Sequence, residues 1–283
     1  MISVIQLGTL AYADGLRLQQ QLVELRKNDQ IPDVLVLLEH KAVITLGRNA
    51  REQNVLLSRE ELERRGVELC ECDRGGDVTF HGPGQLVGYP IFDLRQFPNT
   101  GGATTLKYLG AVDYVRRLEE ILIRTCLDFR IPTRRIPGLT GVWTDPRGDG
   151  SSGVGFSAGN HAFAGSQTTD QAAKIAAIGV HISRSVTSHG FALNVNTDLD
   201  NFNLIIPCGI HARPVTSMAK ELGREVAIDE VAHAVARNFG RVLDRQTLWV
   251  ESIDQLLGRS LGVPVKPPAE ERAIRGEEET HWA

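Results

Sequence analysis

Apolar and polar positions along the first part of the chain predict a strand, a helix and a second strand. Residues 2–7 (ISVIQL) and 33–39 (DVLVLLE) are rich in β-branched and aliphatic side chains, which favour strands. Between them, Leu18, Leu22 and Leu25 recur at helical spacing in a segment dense in polar residues. The first 40 residues are therefore predicted to form a strand, a helix and a second strand that pack together.

The remaining pattern predicts an irregular order of strands and helices. Ser58 followed by Glu61 has the spacing of a capping box, which predicts a short helix ending near Gly66. An apolar stripe opposite charged residues predicts a long helix over 104–130. Further strands are predicted at VELCECD, LVGYPIFDL, 174–183, 190–196 and 201–207, and further helices around 216–222 and 228–243. This order favours an α+β fold with a mixed β-sheet flanked by helices.

Two segments lack the pattern of a packed core. Residues 145–173 are rich in Gly, Ser and Thr, and we interpret them as a flexible insertion between two strands. Residues 251–283 are predicted to be a partly disordered C-terminal extension, rich in Pro and Glu from about residue 264. The rest, residues 1–250, is long enough for one domain with a single buried core.

Composition excludes several broad classes of protein. The 31 Lys and Arg residues against 35 Asp and Glu give a net charge of −4, which argues against nucleic acid or an anionic membrane as partner. No apolar run approaches the roughly 20 residues that cross a bilayer. The four cysteines form no disulfide framework, and no export signal precedes them, so we expect a cytoplasmic protein. Cys70 and Cys72 have no second ligand pair, and no metal site is predicted.

The segment most suited to binding is glycine-rich and lies between two predicted strands. It reads RGGDVTFHGPGQ over 74–85, and its glycines allow the backbone to approach a ligand closely. The alternative is a long turn with an incidental Arg and His. The segment is neither a Walker phosphate loop nor a dinucleotide-binding fingerprint.

Two single residues are further candidates. Cys208, in the sequence PCGI, follows an apolar run and precedes a glycine, which places its sulfur at a turn. By composition alone a buried, inert cysteine is the commoner case. Lys174 opens the apolar strand KIAAIGV, where a lysine is most often a solvated edge residue.

Taken together, these segments resemble one family. RGGDVTFHGPGQLVGYP, KIAAIGVHI, SHGFALNVN and PCGI occur in the order and spacing of the lipoate-protein ligase B family, the octanoyl-acyl-carrier-protein:protein N-octanoyltransferases. The resemblance covers roughly residues 2–245. It implies a biotin/lipoate protein ligase-like catalytic domain, with the Gly-rich loop at the acyl site.

The resemblance also implies roles for the candidate residues. Cys208 is expected to attack the donor thioester and form an octanoyl-cysteine enzyme, and Lys174 is expected to act as acid and then as base. A free thiol is mostly protonated at neutral pH and needs such a neighbour. The substrate-binding residues implied are Arg74, Gly75, Gly76, Asp77, Val78, Thr79, Phe80, His81, Ala177, Ile178, Gly179, Gly190, Phe191 and Ala192.

The expected partners follow from the same resemblance. The donor is octanoyl-acyl carrier protein, and the acceptors are lipoyl domains of 2-oxoacid dehydrogenase complexes and the glycine cleavage H protein. No cofactor is expected, because a thioester is already activated, and the protein is expected to be a monomer. Both partners are generally acidic, so a basic patch is predicted near the Gly-rich loop. Four other histidines (His161, His181, His189 and His211) are interpreted as structural or surface residues.

Two alternative functions remain open from the sequence. An ATP-dependent lipoate or biotin ligase would share the fold but would not need Cys208 as nucleophile. A non-enzymatic module would bind the acyl carrier protein without turnover. The family also lacks the long 145–173 segment, which is either a tolerated insertion or a lid next to Lys174.

Overall fold

A large mixed sheet and a small sheet organise the protein. The computed structural model describes residues 1–98, 107–145, 172–206 and 213–257. Its strands are β1 (Ile2–Leu10), β2 (Asp33–His40), β3 (Val43–Leu46), β4 (Glu68–Glu71), β5 (Val78–His81), β6 (Gln85–Ile91), β7 (Thr133–Ile136), β8 (Leu139–Thr144), β9 (Lys174–Ser183), β10 (Val186–Asn194) and β11 (Thr247–Trp249). The large sheet has the order β11-β1-β2-β6-β10-β9-β8-β7, and the small sheet has the order β4-β3-β5.

The pairing within the large sheet changes direction once. β1 pairs in parallel with β2 and β11, whereas the pairs from β2 to β7 are antiparallel. The sheet is therefore mixed, which confirms the predicted α+β fold class.

The helices cover both faces of the large sheet. They are α1 (Tyr12–Lys27), α2 (Arg59–Arg64), α3 (Ala111–Asp128), α4 (Met218–Leu222), α5 (Ile228–Leu243) and α6 (Ile253–Leu257). One core contains the apolar faces of α3 and α5, and the other contains the apolar face of α1. A third cluster lies in the small sheet. The small sheet and the large sheet enclose the site described below.

The capping box is present at the start of α2, as predicted. The backbone N–H of Glu61 donates to Ser58 Oγ (3.3 Å), and the N–H of Ser58 donates to Glu61 Oε2 (2.9 Å). The two side chains thus satisfy donors that a helix start leaves without partners. The predicted helices at 216–222 and 228–243 are α4 and α5, and the long helix is α3.

The strand predicted at 201–207 is wrong. Residues Leu199–Leu204 form a 3-10 helix, followed by one bridge between Ile205 and Val55. Asp198 begins the helix, because its side chain accepts the N–H of Asp200 at 3.1 Å. Side chains of Asp and Asn bond to the nearby backbone and compete with a strand ladder, and this region is rich in both.

Packing continues beyond residue 250. The N–H of Val250 donates to the carbonyl of Val4 (2.9 Å), and Ile253 is buried in the core of α1. The greater part of the predicted insertion, and the tail after residue 257, lie outside the described residues. Within the described ranges, no helix is both long and apolar enough to cross a membrane.

A buried ion pair joins α1 to the edge of β2. The Arg26 side chain is only 2% exposed, and its Nε donates to Asp33 Oδ1 at 2.8 Å. Asp33 Oδ1 also accepts the N–H of Asp93 at 2.9 Å, at the end of β6. The guanidinium and the carboxylate thus tie three parts of the chain together inside the protein.

Removing this arginine should destabilise the fold strongly. Arg26→Ala leaves the buried Asp33 carboxylate without its cation, and we expect a loss of about 3–5 kcal/mol in the free energy of unfolding. Urea denaturation measures the difference. Arg17→Ala is the matched control, because Arg17 pairs with Asp14 at the exposed surface and should change stability by less than about 1 kcal/mol. Equal effects of the two substitutions would contradict this account.

Candidate active site

The first residues of the Gly-rich segment, 74–77, form a loop that precedes β5, and we use the name Gly-rich loop for these residues. The loop is fixed by its own arginine. Arg74 is buried, and its Nη2 donates to the Thr45 carbonyl on β3 at 2.7 Å. Its Nε donates to Thr45 Oγ1 at 3.1 Å, and its Nη1 donates to the Gly75 carbonyl at 3.1 Å. The guanidinium therefore holds the loop in shape.

The basic patch that the sequence predicts near this loop cannot rest on Arg74, because Arg74 is buried. Two exposed arginines, Arg48 and Arg51, follow β3 in the sequence.

The loop rests directly on the edge of β9. The N–H of Gly75 donates to the Val180 carbonyl at 3.1 Å. A Cβ atom on Gly179 would lie 2.6 Å from the Gly75 carbonyl oxygen, which is too close for any side chain. Two motifs separated by about a hundred residues are therefore in backbone contact, and glycine is required for the approach.

A cavity lies between β5 of the small sheet and strands β6, β10 and β9 of the large sheet. Thirteen of the fourteen predicted substrate-binding residues line it together with Lys174: Arg74, Gly75, Gly76, Asp77, Val78, Thr79, His81, Ala177, Ile178, Gly179, Gly190, Phe191 and Ala192. Val87, Ala177, Ile178 and Ala192 give it apolar walls. The fold thus brings the separate motifs to one place.

Phe80 is the exception among these residues. Its side chain is 1% exposed and belongs to the core of the small sheet, where its ring meets the Phe202 ring edge-on with centroids 5.7 Å apart. Successive residues of a strand point to opposite faces, so Phe80 points away from the cavity that Thr79 and His81 line. Phe202 itself lines the cavity.

Asp77 has structural partners. Its Oδ2 accepts Asn54 Nδ2–H at 2.5 Å, and its Oδ1 accepts the N–H of Arg51 at 3.1 Å. The carboxylate thereby fixes the turn that follows β3 against the Gly-rich loop.

Lys174 lies at the start of β9, where several segments meet. Its Nζ is 5.2 Å from the centroid of the Trp143 ring, a cation–π geometry. Its N–H donates to the Pro214 carbonyl (2.8 Å), and its carbonyl accepts the N–H of Thr216 (3.0 Å). The predicted nucleophile, Cys208, lies in 207–212, outside the described residues. His161 and His211 also lie outside the described residues.

Two buried rings that the sequence did not single out, Tyr12 and Tyr89, join His81 in one wall of the cavity, and His40 packs against them. The Nδ1–H of His40 donates to the Leu10 carbonyl (3.2 Å), and His40 Nε2 accepts the Tyr89 hydroxyl (2.6 Å). The ring of Tyr12 stacks on that of His81, with centroids 6.1 Å apart. Tyr12 and Tyr89 line the cavity and are almost completely buried.

Gln85 sets the orientation of the His81 ring. Gln85 Nε2 donates to Asn194 Oδ1 (2.9 Å), so its Oε1 is the atom that accepts His81 Nδ1–H (2.7 Å). No carboxylate contacts His81 among these hydrogen bonds. This geometry suits a ring that lines the pocket and orders the loop.

Burial keeps this wall uncharged. Desolvation lowers the pKa of His40 to about 4 and, helped by the proximity of His40, lowers the pKa of His81 to about 3. Burial also raises the pKa of Tyr12 and Tyr89 well above the ordinary value. All four rings are therefore neutral at physiological pH, and the wall is polar without carrying charge.

A second histidine pair connects the Gly-rich loop to β9 and β10. Asp73, next to Arg74, accepts His189 Nε2–H at 2.7 Å and also bonds to His181 Nδ1. Burial alone would raise the pKa of Asp73, but these two histidines hold it below its ordinary value. His189 is buried and lines the cavity, so of the two interpretations, structural or surface, only the structural one applies to it. His181 is partly exposed.

Comparison with known proteins agrees with the geometry. The family model of the lipoyl protein ligase A/B catalytic domain matches residues 11–240. The octanoyltransferase of Koribacter versatilis is 51% identical over 281 residues, which is 99% of each chain. That of Acidobacterium capsulatum is 52% identical over 91% of this chain and 96% of its own. The chain belongs to the octanoyltransferase family. It is accordingly an acyltransferase acting in protein lipoylation.

Solved structures with the same fold extend the comparison. A bipartite lipoate protein ligase from Thermoplasma acidophilum has a TM-score of 0.56 at 15% identity, covering 91% of this chain and 89% of that one. The P. falciparum LipL1 complex with lipoate has a TM-score of 0.62 at 12% identity, covering 92% and 69%. At such identities the likeness shows the fold, and it confirms the predicted lipoate ligase-like architecture.

The buried histidines should make this octanoyltransferase sensitive to acid. Unfolded His40 and His81 bind protons near the ordinary pKa of 6.5, whereas the folded rings resist protonation until about 4 and about 3. Stability is therefore complete above pH 6.5 and is lost as the pH falls through this window, by about 3 kcal/mol for His40 alone. Urea denaturation between pH about 7.5 and about 5, above the ordinary carboxyl range, measures the slope.

The control for the acid effect is a variant that cannot titrate. His40→Gln should be less stable at neutral pH, because the ring that packs against Tyr12 and Tyr89 is lost, yet its stability should depend less on pH in this window. A native protein whose free energy of unfolding stays constant from pH about 7.5 to about 5 would contradict neutral burial of these rings.

The contact between Gly179 and the loop should be sensitive to a single methyl group. Gly179→Ala forces the Gly75 carbonyl away, and since displacement of about 1 Å can cost about a hundredfold in rate, we expect kcat/KM for acyl transfer to fall by about that factor. Gly8→Ala on β1 is the control, because no atom lies within 4 Å of a Cβ there. Normal activity of Gly179→Ala would show that the loop position does not limit the reaction.

Proposed function

We propose that this octanoyltransferase transfers octanoyl from octanoyl-acyl carrier protein to a specific lysine of apo lipoyl domains, through a thioester on Cys208. The observation that carries the proposal is the position of Lys174. Its side chain lines the acyl cavity, and its backbone pairs with Pro214 and Thr216, in the segment that resumes shortly after Cys208 in the sequence. The segment before the cysteine is anchored as well, since the N–H of Ile206 donates to the Asn54 carbonyl at 2.8 Å.

In the first half-reaction, the Cys208 thiolate attacks the carbonyl carbon of the donor thioester. A new carbon–sulfur bond forms, the bond to the carrier sulfur breaks, and the departing thiolate takes a proton from the Lys174 ammonium. A cation beside the thiol favours the thiolate form before attack. The products are octanoyl-Cys208, the free carrier thiol and neutral Lys174.

In the second half-reaction, the amine of the acceptor lysine attacks the octanoyl-Cys208 carbonyl. A free lysine amine is almost entirely protonated at neutral pH, so the acceptor first releases one proton to solvent, and its attack leaves a second proton on the nitrogen that needs a base. Neutral Lys174 accepts the proton, the amide forms, and Cys208 leaves as a thiolate. The ammonium and the thiolate are thereby restored for the next turnover.

The apolar part of the cavity suits a medium-length chain. Each buried methylene contributes about 0.8 kcal/mol of favourable binding free energy, so seven methylene-sized groups contribute roughly 5 kcal/mol before the entropic cost of ordering the chain is subtracted. Small residues at Ala177, Gly179, Gly190 and Ala192 leave this slot open between the sheets. This favours octanoyl strongly over acetyl.

The finer assignments belong to the same proposal. The acceptors would be lipoyl domains of 2-oxoacid dehydrogenase complexes and the glycine cleavage H protein, and the enzyme would act as a cytoplasmic monomer without a cofactor. The ATP-dependent alternative has the same fold, but the relatives at 51% and 52% identity are octanoyltransferases. A binding module without turnover is disfavoured by the same relatives.

Intact mass spectrometry tests the proposal directly. With octanoyl-acyl carrier protein and no nucleotide, the enzyme should gain the mass of one octanoyl group, and Cys208→Ala should gain none. Cys70→Ala is the matched control, since Cys70 lies on β4 and lines neither the cavity nor the Lys174 region, and it should acylate normally.

Lys174 is tested by the rate of the same reaction. Lys174→Ala should acylate at least about a hundredfold more slowly, the scale of a positioned acid–base group, and Cys208 should need a higher pH to react with an alkylating agent. An adduct that persists in Cys208→Ala, or a reaction that requires ATP, would contradict the proposed route. Unchanged alkylation in Lys174→Ala would exclude Lys174 from activating the thiol.

A further inference from the structure

A second groove begins at Lys174 and runs along β9, outside the acyl cavity. One side is formed by the turn after β3, including Asn49, Arg51 and Gln53. The other side is the turn between β7 and β8 together with the beginning of β8, including Gly138 and Thr140. The groove shares with the acyl cavity Gly75, Gly76, Asp77, Lys174, Ile178 and Gly179. The two spaces therefore meet at Lys174 and are separated by the backbone of the Gly-rich loop.

The groove exists because β8 separates from β9. Their ladder ends at the pair Val142–Ala176. At the next step, the N–H of Gly141 donates to Glu119 Oε1 (3.2 Å) on α3. Glu119 is completely buried, and Arg116 and Arg135 hold its other oxygen at 2.7 and 3.1 Å. The ionic group thus draws the beginning of β8 towards α3.

Gly141 allows this departure. Its φ of +122° is one that L side chains rarely adopt. A Cβ there would lie 2.6 Å from the Ala176 carbonyl oxygen and 2.7 Å from Lys174 Cε. The separation of the strands is consequently built into the fold at one glycine.

The separation leaves the edge of β9 open at Ile178. The Val180 carbonyl points away from β10, because it accepts the N–H of Gly75, and alternate residues of a strand point their backbone groups in the same direction. The N–H and C=O of Ile178 therefore face the groove. Among the residues that the structure describes, no strand pairs with Ile178 on that side.

We propose that this groove binds the pantetheine arm of the acyl carrier donor. The inference rests on the proposed function, which places the donor thioester at Lys174. From there the octanoyl chain enters the cavity, and the rest of the donor must leave by the other space. On the carrier protein this arm is phosphopantetheine, which has two amides, a hydroxyl and a phosphate, and amides in an extended chain can pair with an open strand edge.

The lining of the groove matches that chemistry along its length. Ile178 offers a backbone donor and acceptor, and Asn49, Gln53 and Thr140 offer side-chain partners for amides and a hydroxyl. Arg51 supplies a cation for the phosphate, and its backbone N–H is already fixed by Asp77. An acceptor lysine reaches the thioester with four methylenes and one amine, which would use none of these polar groups.

Donors that share the octanoyl thioester but differ in the length of the arm test the proposal. They are octanoyl-N-acetylcysteamine, octanoyl-pantetheine and octanoyl-phosphopantetheine, and the measured quantity is kcat/KM for acylation of the enzyme. Each added part should raise kcat/KM. The phosphate should give about tenfold or more, the scale of a charge-assisted hydrogen bond.

Variants assign the gain to the groove. Arg51→Gln should lose about tenfold with the phosphorylated donor and nothing with octanoyl-pantetheine. Thr140→Tyr should obstruct both pantetheine donors and leave the cysteamine donor unchanged. Arg64→Gln, an exposed residue of α2 that lines neither space, is the matched control. Circular dichroism checks that each variant is folded.

Two results would overturn the proposal. One is an equal response of all three donors to Arg51→Gln and Thr140→Tyr. The other is a defect confined to transfer from pre-acylated enzyme to a lipoyl domain, which would assign the groove to the acceptor.

A separate measurement keeps the proposed function distinguishable from the groove. An octanamide analogue of octanoyl-phosphopantetheine cannot acylate the enzyme, so calorimetry reports binding alone. Arg51-dependent binding without any acylation of the native enzyme would support the groove and reject the thioester chemistry. Binding that ignores Arg51 would reject the groove, whatever the chemistry shows.

Discussion

The contact on which the site depends is the one between the Gly75 backbone and the edge of β9. It is a single hydrogen bond to the Val180 carbonyl, made possible because Gly179 has no side chain. Together with the bonds from Asp73 to His181 and His189, it holds the small sheet against the large one and thereby closes the acyl cavity on one side. The same backbone forms the partition between that cavity and the second groove, so the two spaces have a common wall of peptide groups.

The inner wall shows how a polar surface can line an apolar pocket without attracting charge. His40 bonds to the Leu10 carbonyl and to the Tyr89 hydroxyl, and His81 bonds to Gln85, so much of the cost of burying these polar groups is offset locally. Tyr12 packs on His81 by ring stacking. The only cation of the proposed chemistry, Lys174, lies on a different strand, at the meeting point of the two spaces.

Much of the fold could be predicted because the pattern and the structure rest on the same forces. The strand at 174–183 and the helix at 228–243 have strong, unbroken periodicities, and their observed bounds agree with the prediction. The prediction of a strand at 201–207 was wrong because it relied on the apolar side chains of Leu204 and Ile205. Asp198 and its polar neighbours instead stabilise a 3-10 helix locally. Local side-chain bonding outweighed a short apolar run.

The cavity-lining residues were predictable only where they stood in recognisable motifs. Tyr12 comes from a helix start with no signal of its own, and it joins the site through tertiary packing. His40, which packs behind Tyr12 and Tyr89, likewise had no signal. Tyr89 offered one indication, since it lies four residues after Gln85 on the same face of β6. The second groove had no signal at all, because it results from Glu119 bonding to a glycine 22 positions away.

That buried carboxylate has a consequence for altering the enzyme. The beginning of β8, which lines the opening beside Lys174, is held by an acid and an arginine on α3 and an arginine on β7, none of which contacts substrate in the proposed mechanism. Redesign towards bulkier or differently shaped thioester carriers would therefore begin with the charge triad on that helix and hairpin. Gly75 and Gly179, whose backbones are already in contact, offer little room for larger side chains.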